Sequence, residues 1–193
     1  DHAGGNEAVA KATGAKIVAP AEVAKLSAID TEIKHGDTVS IGSHEARVID
    51  VSGHTNGHIA YHLPQDDIAF VGDSVFALGC GRMFEGEAGQ FWQSLQRIKA
   101  LPPKTTLYCA HEYTAANAKF ALHADPDNAA LQDYAAEIAD KRERGEPTVP
   151  MGLARELETN PFLRADDADM QARWGGSSAA ETFAALRKAK DGF

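Results

Sequence analysis

Residues 48–54 read VIDVSGH: a short apolar run, a small-residue step, then a histidine. The cadence returns twice. Residues 68–73, IAFVGD, deliver Asp73, and residues 106–111, TLYCAH, deliver His111. Each run has the length and composition of a strand. Each ends in a ligand-type side chain just past a small residue. In one parallel or mixed sheet such ends gather at one edge, where loops build sites. Two imidazoles and a carboxylate collected there form a candidate metal cluster, and the opening pair, Asp1 and His2, would join it. Imidazole suits zinc-, iron- and manganese-type ions, and a carboxylate can bridge two of them. Taken singly, a histidine after a strand is more often a surface or capping residue. Spacing alone leaves both readings open.

The rest of the first 111 residues alternates in the same way. AKIVAP (15–20), DTVSIG (37–42) and EARVIDVSG (45–53) read as strands, the last two joined by a turn at 42–44. HIAYHLP and DIAFVGD form a hairpin around Pro64, Gln65 and Asp66. In GQFWQSLQRIKAL, Phe91, Leu95, Ile98 and Leu101 recur near helical spacing, and Pro102 and Pro103 end the helix. Near the start, Asn6 reads as a helix N-cap with Glu7 just inside. From about Glu112 the pattern turns helical and Ala-rich. One helix covers AALQDYAAEIADKRERGEP, stopped by Gly145 and Pro147; others cover PMGLARELE, DADMQARWG and AAETFAALRKAKDG. The expectation is an α/β body over residues 1–111 and a helical C-terminal domain over 112–193. The charged run at 141–144 reads as a solvated helix end.

Bulk properties narrow the function class. A chain of 193 residues needs no disulfide staples. A formal charge of −9 argues against a nucleic-acid partner. No apolar run approaches the ~18–20 residues of a membrane span, so no membrane partner is expected. Cys80 and Cys109 lie far apart and fit a reduced, cytoplasmic protein better than a disulfide scaffold.

Taken in order, DHAGGN, GHTNGH, VGDSVF, GCGRMFEG and AHEYT resemble the signatures of glyoxalase II (hydroxyacylglutathione hydrolase), a branch of the metallo-β-lactamase fold. NPFLR and the closing LRKAKDGF extend the resemblance over nearly the whole chain. It implies an αββα sandwich with metals between the strand edges, followed by a helical domain that helps bind glutathione. It also implies two divalent metal ions, zinc first, with iron or manganese tolerated. Asp1, His2 and His111 would serve one ion, His54 the other, and Asp73 would bridge both. Asp1 and Asp73 would be the catalytic carboxylates. Of the family's Thr-His-x-His-x-Asp-His stretch only the final pair is present, as Asp1-His2. The expectation is therefore that two ligand histidines and the first strands lie upstream, and that these 193 residues alone are poorly stable and weakly active.

The implied reaction is hydrolysis of the thioester of S-(2-hydroxyacyl)glutathione, S-D-lactoylglutathione above all, to glutathione and a 2-hydroxy acid by a metal-bridging hydroxide, in methylglyoxal detoxification. Arg82, Tyr113, Arg187 and Lys190 would surround the glutathione, the cations drawing its carboxylates and Tyr113 donating a hydrogen bond. From the residues alone, Arg187, Lys188 and Lys190 read as a solvated basic helix end. Phe84 stands where some relatives have Tyr, which removes one substrate contact, and Ala110 replaces a frequent Gly. His58 matches no ligand position and reads as a supporting histidine. His35, His44, His62 and His123 read as ordinary, and Trp92 and Trp174 as packing residues. A monomer in the cytoplasm is expected. Two alternatives stand beside this reading: a mononuclear-iron persulfide dioxygenase of the same fold, and a non-catalytic remnant that binds glutathione or metal.

Overall fold

The computed structural model describes residues 2–193, so Asp1 lies outside the described residues. The chain begins with helix α1 (Asn6–Thr13), strand β1 (Val18–Ala19), a 3₁₀ turn (Ala21–Lys25) and β2 (Thr31–Glu32), which pairs parallel with β1. The sheet strands follow: β3 (Thr38–Ile41), β4 (His44–Asp50), β5 (Ile59–Leu63) and β6 (Ile68–Gly72). A small hairpin, β7 (Val75–Phe76) and β8 (Gly79–Cys80), leads to helix α2 (Ala88–Lys99) and strand β9 (Thr106–Cys109). The remainder is α3 (Thr114–Ala124), α4 (Ala129–Glu143), β10 (Met151–Gly152), α5 (Leu153–Thr159), α6 (Ala168–Trp174) and α7 (Ala179–Asp191).

The main sheet has the order β10-β9-β6-β5-β4-β3. β4 runs antiparallel to β5, β5 antiparallel to β6, and β6 parallel to β9. Two reversals restore direction, so β4, β6 and β9 all point the same way. Their C-terminal ends share one edge, and these are the three runs that end in His54, Asp73 and His111.

Strand alternation decides what is buried. Ala69, Val71, Leu107 and Ala60 are fully buried, whereas Phe70 and Tyr108, one residue out of step, are exposed on the other face. Helix α2 turns Phe91, Trp92, Leu95 and Ile98 inward, and α7 packs against it through Phe183, whose ring meets Phe91 edge-on at 5.4 Å. One core thus joins the sheet, α2 and α7. A second core sits between α3 and α4, where Leu131, Tyr134 and Ile138 enclose Leu78 from the β7–β8 hairpin.

Three local expectations are corrected. Asn6 is not the N-cap: Gly5 holds that position, and the Asn6 side chain instead donates to Ser27 Oγ at 3.2 Å. AKIVAP forms only two residues of strand, because its partner β2 is no longer. PMGLARELE is not helical throughout. Met151 and Gly152 add a strand to the sheet edge beside Leu107 and Thr106, and the helix starts at Leu153.

Candidate metal centre

The loop after β4 brings His54 over the end of the sheet. Gly53 lies at φ +148°, and a Cβ there would fall 2.3 Å from the Phe91 ring. Only glycine lets the backbone pass so close above α2. The approach is fastened by Ser94 Oγ donating to the Ser52 carbonyl at 2.6 Å and by Arg97 donating to the Asp50 carboxylate at 2.5 Å. Burial pushes the Asp50 carboxyl up, but hydrogen bonds from Ser52 and Arg97 outweigh it and hold the group below its usual range.

Asp73 follows β6 directly and is 3% exposed. His2 Nε2 lies 2.6 Å from Asp73 Oδ2, His54 Nε2 3.7 Å from the same oxygen, and His111 Nε2 3.5 Å from Oδ1. His2 and His54 thus share one carboxylate oxygen while His111 faces the other. The ligand atoms of His2, His54 and Asp73 lie within 4.8 Å of one another. Ligands held about 2.0–2.2 Å from a zinc-type ion span at most roughly 4 Å. Two imidazole nitrogens and a carboxylate at nearly that separation fit a divalent metal. The two-sided use of Asp73 suits a carboxylate shared between ions.

Supporting contacts fix these groups. The His54 Nδ1–H donates to the Arg82 carbonyl at 2.8 Å, which turns Nε2 toward Asp73. His58 Nε2 accepts the Asp73 amide hydrogen at 3.0 Å. Burial first, and then the neighbouring His54, depress the His58 imidazole to about 4, so it stays a neutral acceptor. Gly81 stands against the site: a Cβ there would come 2.0 Å from the Asp73 carbonyl oxygen and 3.0 Å from His54 Nδ1. His111 stacks on the Tyr113 ring at 5.0 Å.

His2, His54, Asp73 and His111 open onto a cavity of about 570 Å³. Arg82, Tyr113 and Lys190 line it, with Tyr113 half exposed. Lys190 lies over the Phe120 and Phe193 rings, and burial followed by Arg187 and Arg82 pulls its ammonium below the usual lysine range. Arg187 also lines the cavity but is 3% exposed, its guanidinium donating to the Cys80 carbonyl at 2.9 Å and to Asp191 at 3.0 Å. Phe84 is an exposed ring 5.0 Å from His54, and its amide donates to the His54 carbonyl. Of the expected ligands within these 193 residues, Asp1 alone lies outside the described residues. His35, His44, His62 and His123 do not join the described cluster. Sequence reasoning missed the Arg82 carbonyl, because a backbone atom leaves no residue-type signal. Gly81, within GCGRMFEG, was legible only as part of a motif.

Known proteins resemble this chain along its whole length. Residues 1–111 match the metallo-beta-lactamase superfamily, and residues 112–193 match the hydroxyacylglutathione hydrolase C-terminus. The hydroxyacylglutathione hydrolase of Erythrobacter litoralis is 72% identical over 193 residues, which are all of this chain and 77% of that protein. That of Hyphomonas neptunium is 58% identical over 195 residues, all of this chain and 76% of its own length. Among solved structures, ETHE1 from Myxococcus xanthus superposes with a TM-score of 0.65 at 23% identity, over 95% of this chain and 62% of that one. The BLEG-1 B3 metallo-beta-lactamase does so with a TM-score of 0.61 at 17% identity, over 84% and 72%. At those identities the structures speak to the fold alone.

Proposed function

The chain belongs to the hydroxyacylglutathione hydrolase family, and from that premise we propose that it hydrolyses the thioester of S-(2-hydroxyacyl)glutathione, S-D-lactoylglutathione foremost, to glutathione and a 2-hydroxy acid. The observation that carries the reading is a cluster of three histidines around one carboxylate, opening onto a cavity with cationic walls. His2, His54, Asp73 and His111 would hold divalent metal, two ions with zinc the first choice. Bound there, such ions supply a hydroxide equivalent near neutral pH and Lewis-acid polarisation of a carbonyl.

The chain's own residues do the rest. Asp73 and His54 are buried and arrive pre-oriented, so little reorganisation accompanies the chemistry. Arg82 and Lys190 attract the glutathione carboxylates, and Tyr113 donates a hydrogen bond beside His111. Phe84, in contact with the His54 ring, gives the acyl side an apolar wall. A thiol near pKa ~8.5 leaves as thiolate without a strong general acid, so no proton donor is required at the sulfur. No helix among the described residues is long and apolar enough to cross a membrane. Cys80 and Cys109 are free thiols, which supports a reducing compartment; the cytoplasm and a part in methylglyoxal detoxification belong to the same proposal.

The test is turnover by the purified full-length protein. Lactoylglutathione hydrolysis that disappears on chelation and returns with zinc is the expected result. Turnover only of glutathione persulfide with oxygen would overturn the reading.

A further inference from the structure

The β7–β8 hairpin connects two working parts of the centre. Asp73 enters it, and Arg82, whose carbonyl orients His54, leaves it. Residues 75–80 between them are all buried, yet they pair with no strand of the main sheet. The hairpin's own ladder joins only Val75 with Cys80 and Phe76 with Gly79. Buried backbone groups need partners, and here side chains of the helical half supply them. Asn117 donates to the Ala77 carbonyl at 3.1 Å, and Asn160 donates to the carbonyls of Phe76 and Gly79 at 3.2 and 3.0 Å. The Leu78 amide donates to Glu156 Oε2 at 2.8 Å. Leu78 stands at φ 56°, a left-handed conformation that side-chain-bearing residues avoid, so something must hold it.

Glu156 is fully buried on α5 and faces no substrate cavity. Three donors converge on its carboxylate: the Leu78 amide, the Asn160 amide group at 3.0 Å and the Tyr134 hydroxyl at 3.2 Å. Its neighbour Arg155 is turned elsewhere, over the Tyr134 ring and onto Glu137. A buried carboxyl without a paired cation is costly, and three donors converging on its oxygens offset part of that cost while tying the hairpin tip to α5. Next to Asp73 the two arms of the hairpin touch: Gly81 N–H donates to the Ser74 carbonyl, and a Gly81 Cβ would overlap the Asp73 carbonyl. A shift of the hairpin tip therefore moves both Asp73 and the Arg82 carbonyl.

We propose that Glu156 is a positioning residue for the metal centre: by fixing the Val75–Cys80 hairpin it sets the Asp73 carboxylate and the carbonyl that orients His54. The inference deepens the hydrolase reading and rests on its metal site. Groups that orient metal ligands typically change affinity by about 10–100-fold when removed. In the full-length protein, zinc affinity is measured by competition with a chromophoric chelator, well below the melting temperature. Glu156→Ala should weaken zinc binding by about tenfold or more, and lower kcat with little change in KM for the thioester. Glu156→Gln, which keeps an acceptor for Leu78 and Asn160, should restore both near wild type. Met170→Ala, a buried truncation on α6, controls for lost stability and should leave affinity unchanged.

Wild-type zinc affinity in Glu156→Ala overturns the proposal, as does equal weakening in Met170→Ala. Should Glu156→Ala not fold, Glu156→Asp decides. It keeps a carboxyl but withdraws it by about 1.5 Å, and unchanged affinity there is equally fatal. A protein that binds zinc tightly yet leaves lactoylglutathione intact would sink the hydrolase reading while the Glu156 comparison still stands on its own measurement.

Discussion

Asp73 is the residue on which the centre turns, because three imidazoles address its two oxygens. Asp73→Asn keeps the shape but replaces one oxygen with a donor and removes the charge. Loss of a mere supporting partner costs about 10–100-fold in metal affinity, so loss of the shared ligand should exceed about 100-fold, read by chelator competition. Gly81 tests the same point sterically. Gly81→Ala places a methyl 2.0 Å from the Asp73 carbonyl oxygen, a backbone atom that cannot simply rotate away. The expected outcome is a loss of about 1–3 kcal/mol in stability by denaturant titration, together with weakened metal binding, while Gly89→Ala, on α2 with open space around its Cβ, leaves metal binding unaffected and raises stability by up to about 1 kcal/mol. Asp73 was legible because it ends a strand, as were His54 and His111. The Gly81 contact was not, since what it touches is set by a hairpin that turns back on itself.

At the scale of elements, α7 braces the hairpin from the far end of the chain. Arg187 reaches across to the Cys80 carbonyl and pairs with Asp191 one turn along its own helix. Arg187→Met should cost about 1.5–3 kcal/mol, the usual worth of a hydrogen bond to a charged group, measured as a shift in urea midpoint at constant slope. Lysine should not restore it, because a single ammonium cannot serve two partners in a fork. Sequence patterning was sufficient for β3 to β6, β9 and α2, where alternation or helical spacing runs four residues or more. It placed β1 but made it too long, and it gave no strand for the other elements two residues long. β1, β2, β7, β8 and β10 exist because tertiary neighbours supply a partner, and that partner is remote in sequence. Asn6 was misjudged for a related reason: its side chain found Ser27 rather than its own helix end.

For the molecule as a whole, Glu156 makes folding sensitive to pH. Burial lifts its carboxyl from 4.5 to about 7, against the opposing pull of the Leu78 amide, Asn160, Tyr134 and Arg155. Between those values the folded protein holds a proton that the unfolded chain has released. Stability from this group is therefore complete below 4.5 and is lost as pH rises through 7. The titratable groups around it do not share that window. Tyr134 is pushed far upward by burial and by Glu156, the Cys109 thiol is raised by burial, and Glu137 is lowered by Lys141 and Arg155. The half-buried His58 and the buried His62 act in the opposite sense: their imidazoles are depressed chiefly by desolvation, so they contribute stability that is lost as pH falls. Wild-type stability thus contains contributions of both signs. Glu156→Gln removes the one from this carboxyl and leaves the histidines untouched, so the difference between the two proteins isolates the carboxyl. Measured by urea unfolding of chelated, metal-free protein, the variant should gain on wild type by a few kcal/mol as pH rises from about 4.5 to about 7, at about 1.4 kcal/mol per unit. A constant difference across that interval would show that Glu156 is already ionised in the folded protein at the acid end, its three donors outweighing its burial.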